Sequence, residues 1–249
     1  MKSKVKLKGA LHLHTTLSHD GDMSLRELVA FLKSKGYDYM AITEHSYDVD
    51  NELMADLSER AAALSDDDFQ VIAGIEFRCH DYVDIIGYGV TRCFDNENPS
   101  AVIEHIKAND GVAVFAHPSI RDYAVDPAWV TQLDGCEVWN VTHEGKFVPR
   151  IKGIRRFQQL RAMNGDLMAF SGLDMHRKES YCYLSTTTYA DGRSRSDILK
   201  AVREGSFRSE SRLFSLNSRG EISALSRARI SALGTVLNLL RWLRNMVRQ

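Results

Sequence analysis

The sequence predicts an α/β fold with a mainly parallel sheet, and two observations support this. Short apolar runs alternate with helical periodicity in the order β-α-β-α-β-β-α-β-α-β-α-β. Nearly every predicted strand also ends in His, Asp or Glu. In a closed α/β barrel these strand ends meet on the face that carries the active site. An open doubly wound sheet collects fewer such groups along its edge, so we favour the barrel.

Local patterns place the elements in order. The predicted strands cover residues 5–14, 37–43, 70–77, 83–90, 111–116, 136–140 and 167–172. The first predicted helix begins at Ser24, which forms a capping box with Glu27, and it ends at Gly36. Further helices are predicted over residues 52–64, 101–109, 152–164 and 194–204 from their apolar stripes.

Composition excludes several classes of protein. The chain has 249 residues, 44% of them hydrophobic, which is enough for one barrel-sized core. Its four cysteines form no CxxC pair, which argues against a disulfide scaffold or a structural zinc site. No run of 18 apolar residues is present, and the basic first residues lack the apolar stretch of a secretion signal. We therefore expect a reduced, cytoplasmic setting.

Candidate metal ligands recur at the ends of the predicted strands. In His12-Leu13-His14 two imidazoles stand at i and i+2, so a strand would point both to one face. A single histidine at a strand end is usually satisfied by ordinary polar neighbours. Groups of this kind at the same end of successive strands instead favour mutual pairing or a divalent metal, because isolated buried charges are costly. The later groups are Asp20, Glu44-His45, Glu76, His117 and Asp174-Met175-His176.

Five short segments together resemble the polymerase and histidinol phosphatase (PHP) family over about residues 8–205. They are HLHTTLSHDG (12–21), AITEH (41–45), GIEF (74–77), VFAHP (114–118) and SGLDMH (171–176). The resemblance implies a distorted seven-stranded β/α barrel related to the TIM barrel. It also implies two or three bound divalent ions (Mn, Zn or Fe, sometimes Mg) and hydrolysis of phosphate esters by a metal-bound hydroxide.

The same resemblance implies a ligand set. One metal would be held by His12, His14, Glu76 and Asp174. Glu76 would bridge to a second metal completed by His117, and a third would be held by Asp20, His45 and His176. Catalysis would then depend on Glu76, Asp174 and His117.

One position departs from the family pattern. Where the family commonly has a histidine that completes the second metal, this chain has Asp84 in VDIIGYGV. A carboxylate can bind a divalent ion and favours harder metals such as Mn or Mg. His80, four residues earlier, is the alternative ligand, and a two-metal site is the alternative arrangement.

Phosphate recognition requires fixed positive charge near the metals, and arginine binds phosphate in bidentate fashion. The candidates are residues in loops at the expected catalytic face, namely Arg78, Arg121, Arg177 and His143. We therefore expect a phosphomonoester, a small phosphodiester or a nucleotide as substrate. The alternatives are an exonuclease acting on short oligonucleotides and a non-catalytic, metal-binding regulatory domain.

Charge is unevenly distributed along the chain. From Arg193 onward twelve Lys or Arg stand against four Asp or Glu, so this segment carries +8 and the preceding residues −9 of a total of −1. The acidic part argues against a long nucleic acid as partner. We expect a catalytic barrel over residues 1–205 and a basic amphipathic helical extension over residues 206–249. Packing of this extension on the barrel or on a second subunit is favoured over contact with an anionic membrane surface.

Overall fold

The computed structural model describes residues 3–121, 123–222 and, beyond these, residues 224, 226–229, 231, 232, 234–236 and 246. The strands of this described part are β1 (Val5–Leu13), β2 (Tyr39–Ile42), β3 (Glu44–His45), β4 (Gln70–Ile72), β5 (Gly74–Arg78), β6 (Asp84–Tyr88), β7 (Val112–Phe115), β8 (Gly135–Asn140), β9 (Met168–Gly172), β10 (Ser185–Ala190), β11 (Phe207–Glu210) and β12 (Ser215–Asn217). The helices are α1 (Leu25–Ser34), α2 (Asn51–Leu64), α3 (Pro99–Ala108), α4 (Pro127–Val130), α5 (Val141–Glu144), α6 (Ile151–Met163) and α7 (Arg195–Arg203).

The strands form two six-stranded sheets, with the orders β12-β11-β10-β1-β2-β4 and β3-β5-β6-β7-β8-β9. The α/β class is therefore confirmed, but the expected closed barrel is not formed. Thr43 separates β2 from β3, and Ala73 separates β4 from β5. In both cases the first strand belongs to one sheet and the second strand to the other. The two sheets are also linked by an isolated bridge between Leu13, at the end of β1, and Met175, after β9.

The sheets are mixed rather than mainly parallel. Strand β6 runs antiparallel to both β5 and β7. The connection from β5 to β6, residues 79–83, is too short for the crossover that parallel neighbours require. In the other sheet β10, β11 and β12 form an antiparallel meander that begins on β1. The remaining neighbours, such as β1 with β2 and β7 with β8, are parallel.

Part of the predicted helical extension is sheet instead. Residues 207–210 and 215–217 form β11 and β12, so the expectation of a helical segment from residue 206 is wrong for these residues. In β11 the buried Phe207 and Ser209 alternate with the exposed Arg208, which is the period of a strand. Beyond residue 222, the helical extension expected over residues 206–249 lies mostly outside the described residues. Within the described part, no helix combines the length and hydropathy needed to cross a membrane.

The interior of the fold contains two clusters of buried apolar side chains. Apolar side chains from both sheets meet in one core cluster, which Ile198 and Val202 of α7 also enter. Tyr39 of β2 is fully buried there, and its hydroxyl lies 2.6 Å from the Thr188 hydroxyl on β10. Tyr39 passes so close to Gly9 that a Cβ at residue 9 would lie 2.0 Å from the ring. A second core cluster includes side chains of α1, α2, α3 and α6.

Candidate metal centre

Side chains from both sheets converge where their strands end. His12 lies on β1, His45 on β3, Glu76 on β5 and Asp84 on β6. His117 follows β7, and Asp174 and His176 follow β9. All except His176 are buried. The fold thus brings together the histidines and carboxylates that the strand-end pattern predicted.

Glu76 lies at the centre of this group. Its Oε1 is 3.2 Å from Nε2 of His117 and 3.5 Å from Nε2 of His12. Its Oε2 is 3.0 Å from Nδ1 of His45 and 3.6 Å from Nε2 of His14. One buried carboxylate therefore faces four imidazoles, which is the geometry that a bridging ligand requires.

Asp174 is the second shared carboxylate. Its Oδ1 lies 3.5 Å from Nε2 of His12, 3.8 Å from Nε2 of His14 and 3.5 Å from Nδ1 of His176. Its Oδ2 lies 3.3 Å from Nε2 of His143. Asp174 consequently connects the histidine pair of β1 to the residues that follow β9.

Three groups have donor atoms close enough to share an ion, and two of these groups have His14 in common. They are His12 with His14 and Asp174, Glu76 with Asp84 and His117, and His14 with His45 and His176. Within each group the donor atoms lie within 4.8 Å of one another. Asp20 adjoins the third group, because its carboxylate oxygens lie 3.5 Å from His45 and 3.4 Å from His176.

Unpartnered nitrogens test whether these groups suit a metal. Nε2 of His12 and Nε2 of His14 are buried beside Glu76 and Asp174 and have no hydrogen-bond partner. A buried polar atom without a partner costs free energy, whereas an imidazole nitrogen beside carboxylates is a normal ligand for a divalent ion. The residues therefore fit bound divalent metal.

The backbone at this site is unusual. His12, His117 and Asp174 have φ values of +60°, +31° and +49°, in the left-handed region that costs non-glycine residues free energy. The register between β1 and β2 also shifts between Ala10 and Leu13. His12 and His14 thus reach the same site through a distorted strand end rather than by simple strand alternation.

Charge interactions alter the pKa values of the group. Burial opposes protonation of His117, but its hydrogen bond with Glu76 prevails and raises the pKa of His117 to about 9. Burial would also raise the pKa of the Asp174 carboxyl, yet nearby His12 holds it below its usual value. Burial lowers the pKa of His14. The Glu76 carboxylate therefore stabilises positive charge on His117 inside this buried site.

Two residues that the sequence analysis did not single out hold the ligands in place. Glu137 of β8 is fully buried and its Oε1 lies 2.8 Å from Nδ1 of His12. Its Oε2 accepts hydrogen bonds from the His117 backbone N–H (3.0 Å) and from Asn140 (2.9 Å). Asn140 also donates to Asp174 over 3.1 Å. A charged residue inside the apolar run GCEVWN was the sequence signal for Glu137.

The structure distinguishes Asp84 from His80, the two candidate ligands at the position that differs from the family pattern. Asp84 lies in the group with Glu76 and His117, and its Oδ2 is 3.8 Å from Nε2 of His117. His80 is instead 65% exposed and pairs with Glu97 over 2.8 Å. The fold therefore places Asp84, and not His80, among the candidate ligands.

A cavity of about 440 Å³ opens beside these ligands, and three of the four candidate phosphate-binding residues line it: Arg78, Arg121 and His143. The fourth, Arg177, does not line this cavity. Arg78 donates from Nε to Asp84, which fixes its guanidinium beside the site. Tyr47 and Tyr82 also line the cavity and lie near the Arg78 guanidinium.

Fold and site together define a class: an α/β protein with a buried, multi-histidine candidate metal centre at its strand ends. Comparison with known families agrees, because residues 10–113 match the PHP domain. This match confirms the predicted resemblance and contains three of its five segments, whereas VFAHP and SGLDMH lie beyond it.

Individual proteins also match. The chain is 31% identical over 139 residues to the DNA polymerase/3′-5′ exonuclease PolX of Bacillus subtilis, which covers 47% of this chain and 24% of that protein. The chain thus spans about a quarter of this relative's length.

Solved structures share the fold at lower identity. One is a two-domain protein from Bacteroides vulgatus containing a predicted PHP-like metal-dependent phosphoesterase (TM-score 0.63, 18% identity, 86% of this chain and 67% of that chain). Another is a lesion-specific endonuclease from Pyrococcus furiosus (TM-score 0.58, 13% identity, 86% and 59%).

Proposed function

We propose that this protein is a metal-dependent hydrolase of phosphate esters, with a phosphomonoester or a small phosphodiester as substrate. The arrangement of three adjacent donor groups, connected by the contacts of Glu76 and Asp174, carries the proposal. The match to the PHP domain and the likeness to a predicted metal-dependent phosphoesterase support it.

The chain's own residues would hold the metals and the substrate. Bound divalent ions would supply an activated water at neutral pH and neutralise charge on the phosphate. His12, His14 and Asp174 would form one site and Glu76, Asp84 and His117 a second. His45 and His176 would complete a third with His14, assisted by Asp20.

The cavity beside the ligands would hold the phosphate group. Arg78 is held near Asp84 and Arg121 lies on the same cavity, so both guanidinium groups can donate to phosphate oxygens. His143, 37% exposed and beside Asp174, is placed to contact the same group.

Donor chemistry narrows the identity of the metals. Imidazole nitrogens suit Zn and Fe, and the two carboxylates at the second site favour Mn over Zn there. We propose Mn, Zn or Fe as the bound ions, with Mg as a weaker fit because Mg prefers oxygen ligands.

Hydrolysis of p-nitrophenyl phosphate and bis-p-nitrophenyl phosphate tests the proposal. Chelator-stripped protein should be inactive and regain activity with Mn or Zn. His14→Ala and Asp174→Ala should lose activity while circular dichroism stays native. His80→Ala is the matched control, since His80 lies outside the donor groups. A wild-type protein that binds metal and hydrolyses neither ester would indicate a metal-binding regulatory domain instead.

A second candidate is an exonuclease-type phosphodiesterase acting on short oligonucleotides. The similarity to a polymerase with 3′-5′ exonuclease activity over 139 residues favours it. Stepwise shortening of a 5′-labelled oligothymidylate by the metal-loaded protein would support this candidate. Turnover of p-nitrophenyl phosphate without shortening of the oligonucleotide would exclude it.

A further inference from the structure

A basic cleft adjoins the candidate metal centre. It measures about 380 Å³ and is lined by residues of the loop after β7 and of the first turns of α6, namely Pro118, Ser119, Arg121, Ile151, Lys152, Arg155, Arg156 and Gln159. Four of these side chains are cationic, and within the described residues none of the lining groups is a carboxylate. We define this set as the α6 cleft.

The α6 cleft and the metal-lined cavity are neighbours. Arg121 lines both of them, and the loop that forms one wall of the cleft directly follows His117. A substrate that places one phosphate at the metals can therefore extend into the cleft without leaving the protein surface.

The sequence concentrates positive charge at this place. Residues 145–163 contain six Lys or Arg and no Asp or Glu, although the first 192 residues as a whole are acidic. The excess of positive charge is local to α6 and the loop before it, so the net charge of the chain conceals it.

The arginines of the cleft are available for a ligand. Arg78 and Arg193 pair with Asp84 and Asp38, whereas no carboxylate of the described residues pairs with Arg121 or Arg155. Arg156 donates from Nη2 to the Tyr123 carbonyl over 2.8 Å, and its buried Nε has no acceptor.

We infer that the α6 cleft binds a second phosphate group of the substrate, so that the preferred substrate carries at least two phosphates. This inference rests on the proposed phosphoesterase function. Guanidinium groups bind phosphate in bidentate fashion, and several of them around one cleft favour a dianion over a neutral group. Arg155 and Arg156 act as specificity-determining residues and Arg121 lies between the two phosphate positions.

Calorimetry with phosphonates tests the inference without turnover, because their P–C bonds resist hydrolysis. Metal-loaded protein is titrated with methylphosphonate and with alkane bisphosphonates of increasing spacer length. The wild type should bind one bisphosphonate at least about tenfold more tightly than methylphosphonate, the usual gain from a charged hydrogen bond. Equal affinity at every spacer length, or no binding of any phosphonate, would overturn the inference.

Substitutions test whether the α6 cleft is the cause of the tighter binding of bisphosphonates. Arg155→Gln and Arg156→Gln should each reduce the ratio of the two affinities, and the double variant should bring it close to one. Arg26→Gln, an exposed arginine of α1, is the charge-matched control and should preserve the ratio. A high ratio that persists in the double variant would place the second phosphate elsewhere and refute the inference.

Two further measurements complete the design. The first compares the affinity of a phosphorothioate oligothymidylate with that of the best bisphosphonate. Tighter binding of the oligothymidylate indicates that an oligonucleotide supplies the second phosphate. Weaker or equal binding indicates a small bisphosphorylated molecule. Hydrolysis of p-nitrophenyl phosphate by the same preparation reports the proposed function separately. Turnover with equal phosphonate affinities would therefore reject the cleft alone.

Discussion

Replacing Glu137 with glutamine should weaken metal binding while leaving the fold intact. The Glu137 carboxylate has one oxygen 2.8 Å from Nδ1 of His12, and the other accepts from the His117 N–H and from Asn140. An ionised carboxylate only accepts hydrogen bonds, so it keeps the proton of a neutral His12 on Nδ1 and leaves Nε2 as the ligand atom.

The side-chain amide introduced by Glu137→Gln would have one accepting and one donating end. Its oxygen should turn to the two donors from His117 and Asn140, because the reverse orientation sets two donors against an NH₂ group. The NH₂ group then faces Nδ1 of His12, which must become an acceptor and move its proton to Nε2. Loss of such an orienting partner costs about 10–100-fold in metal affinity, or about 1.4–2.7 kcal/mol.

Isothermal titration of Mn or Zn into chelator-stripped protein measures this effect. Glu210→Gln is the control, because Glu210 on β11 accepts a hydrogen bond from Thr187 and none from a candidate ligand. Metal affinity in Glu137→Gln equal to that of the wild type would refute the reasoning.

Three more predictions concern stability and the second metal position. Burial raises the pKa of the Glu144 carboxyl to about 7, so the wild type should lose stability as pH rises from about 4.5 to about 7. Glu144→Gln should reduce this slope and stabilise the protein at pH 8 by up to about 3 kcal/mol in urea unfolding, and an unchanged slope would contradict it. Gly9→Ala should destabilise by about 1–3 kcal/mol or more, because its Cβ meets the Tyr39 ring, and native stability would disprove the close packing. Asp84→Ala should remove one metal equivalent and His80→Ala none, as counted by elemental analysis, and the opposite result would assign the ligand role to His80.

Much of the candidate site was predictable because its residues stand at strand ends. Local patterns identified the strands that carry His12 and Glu76 and the strand that precedes His117, and parallel or mixed sheets bring such ends together. The sequence also revealed that Asp84 replaces the histidine common in the family, because the apolar run after it fixes the position.

The division into two sheets and the supporting residues were not predictable. The single residues Thr43 and Ala73 separate consecutive strands, and the sheet that each of these strands joins depends on its neighbouring strands. The threonine-rich β10 gives no alternation of polar and apolar residues, although three successive β-branched residues favour a strand. Glu137 acts through contacts with His12 and His117 that are distant in sequence, so spacing alone could not assign its role.

The metal content of the intact protein, purified without chelators and measured by elemental mass spectrometry, tests the central claim most directly. The separate donor groups that contain Glu76 and Asp174 predict more than one equivalent of divalent metal per chain. Substitution of Asp174 by Ala should reduce this number without unfolding the protein. A folded wild-type protein that contains no metal and takes up none on addition of Mn, Zn or Fe would contradict the account.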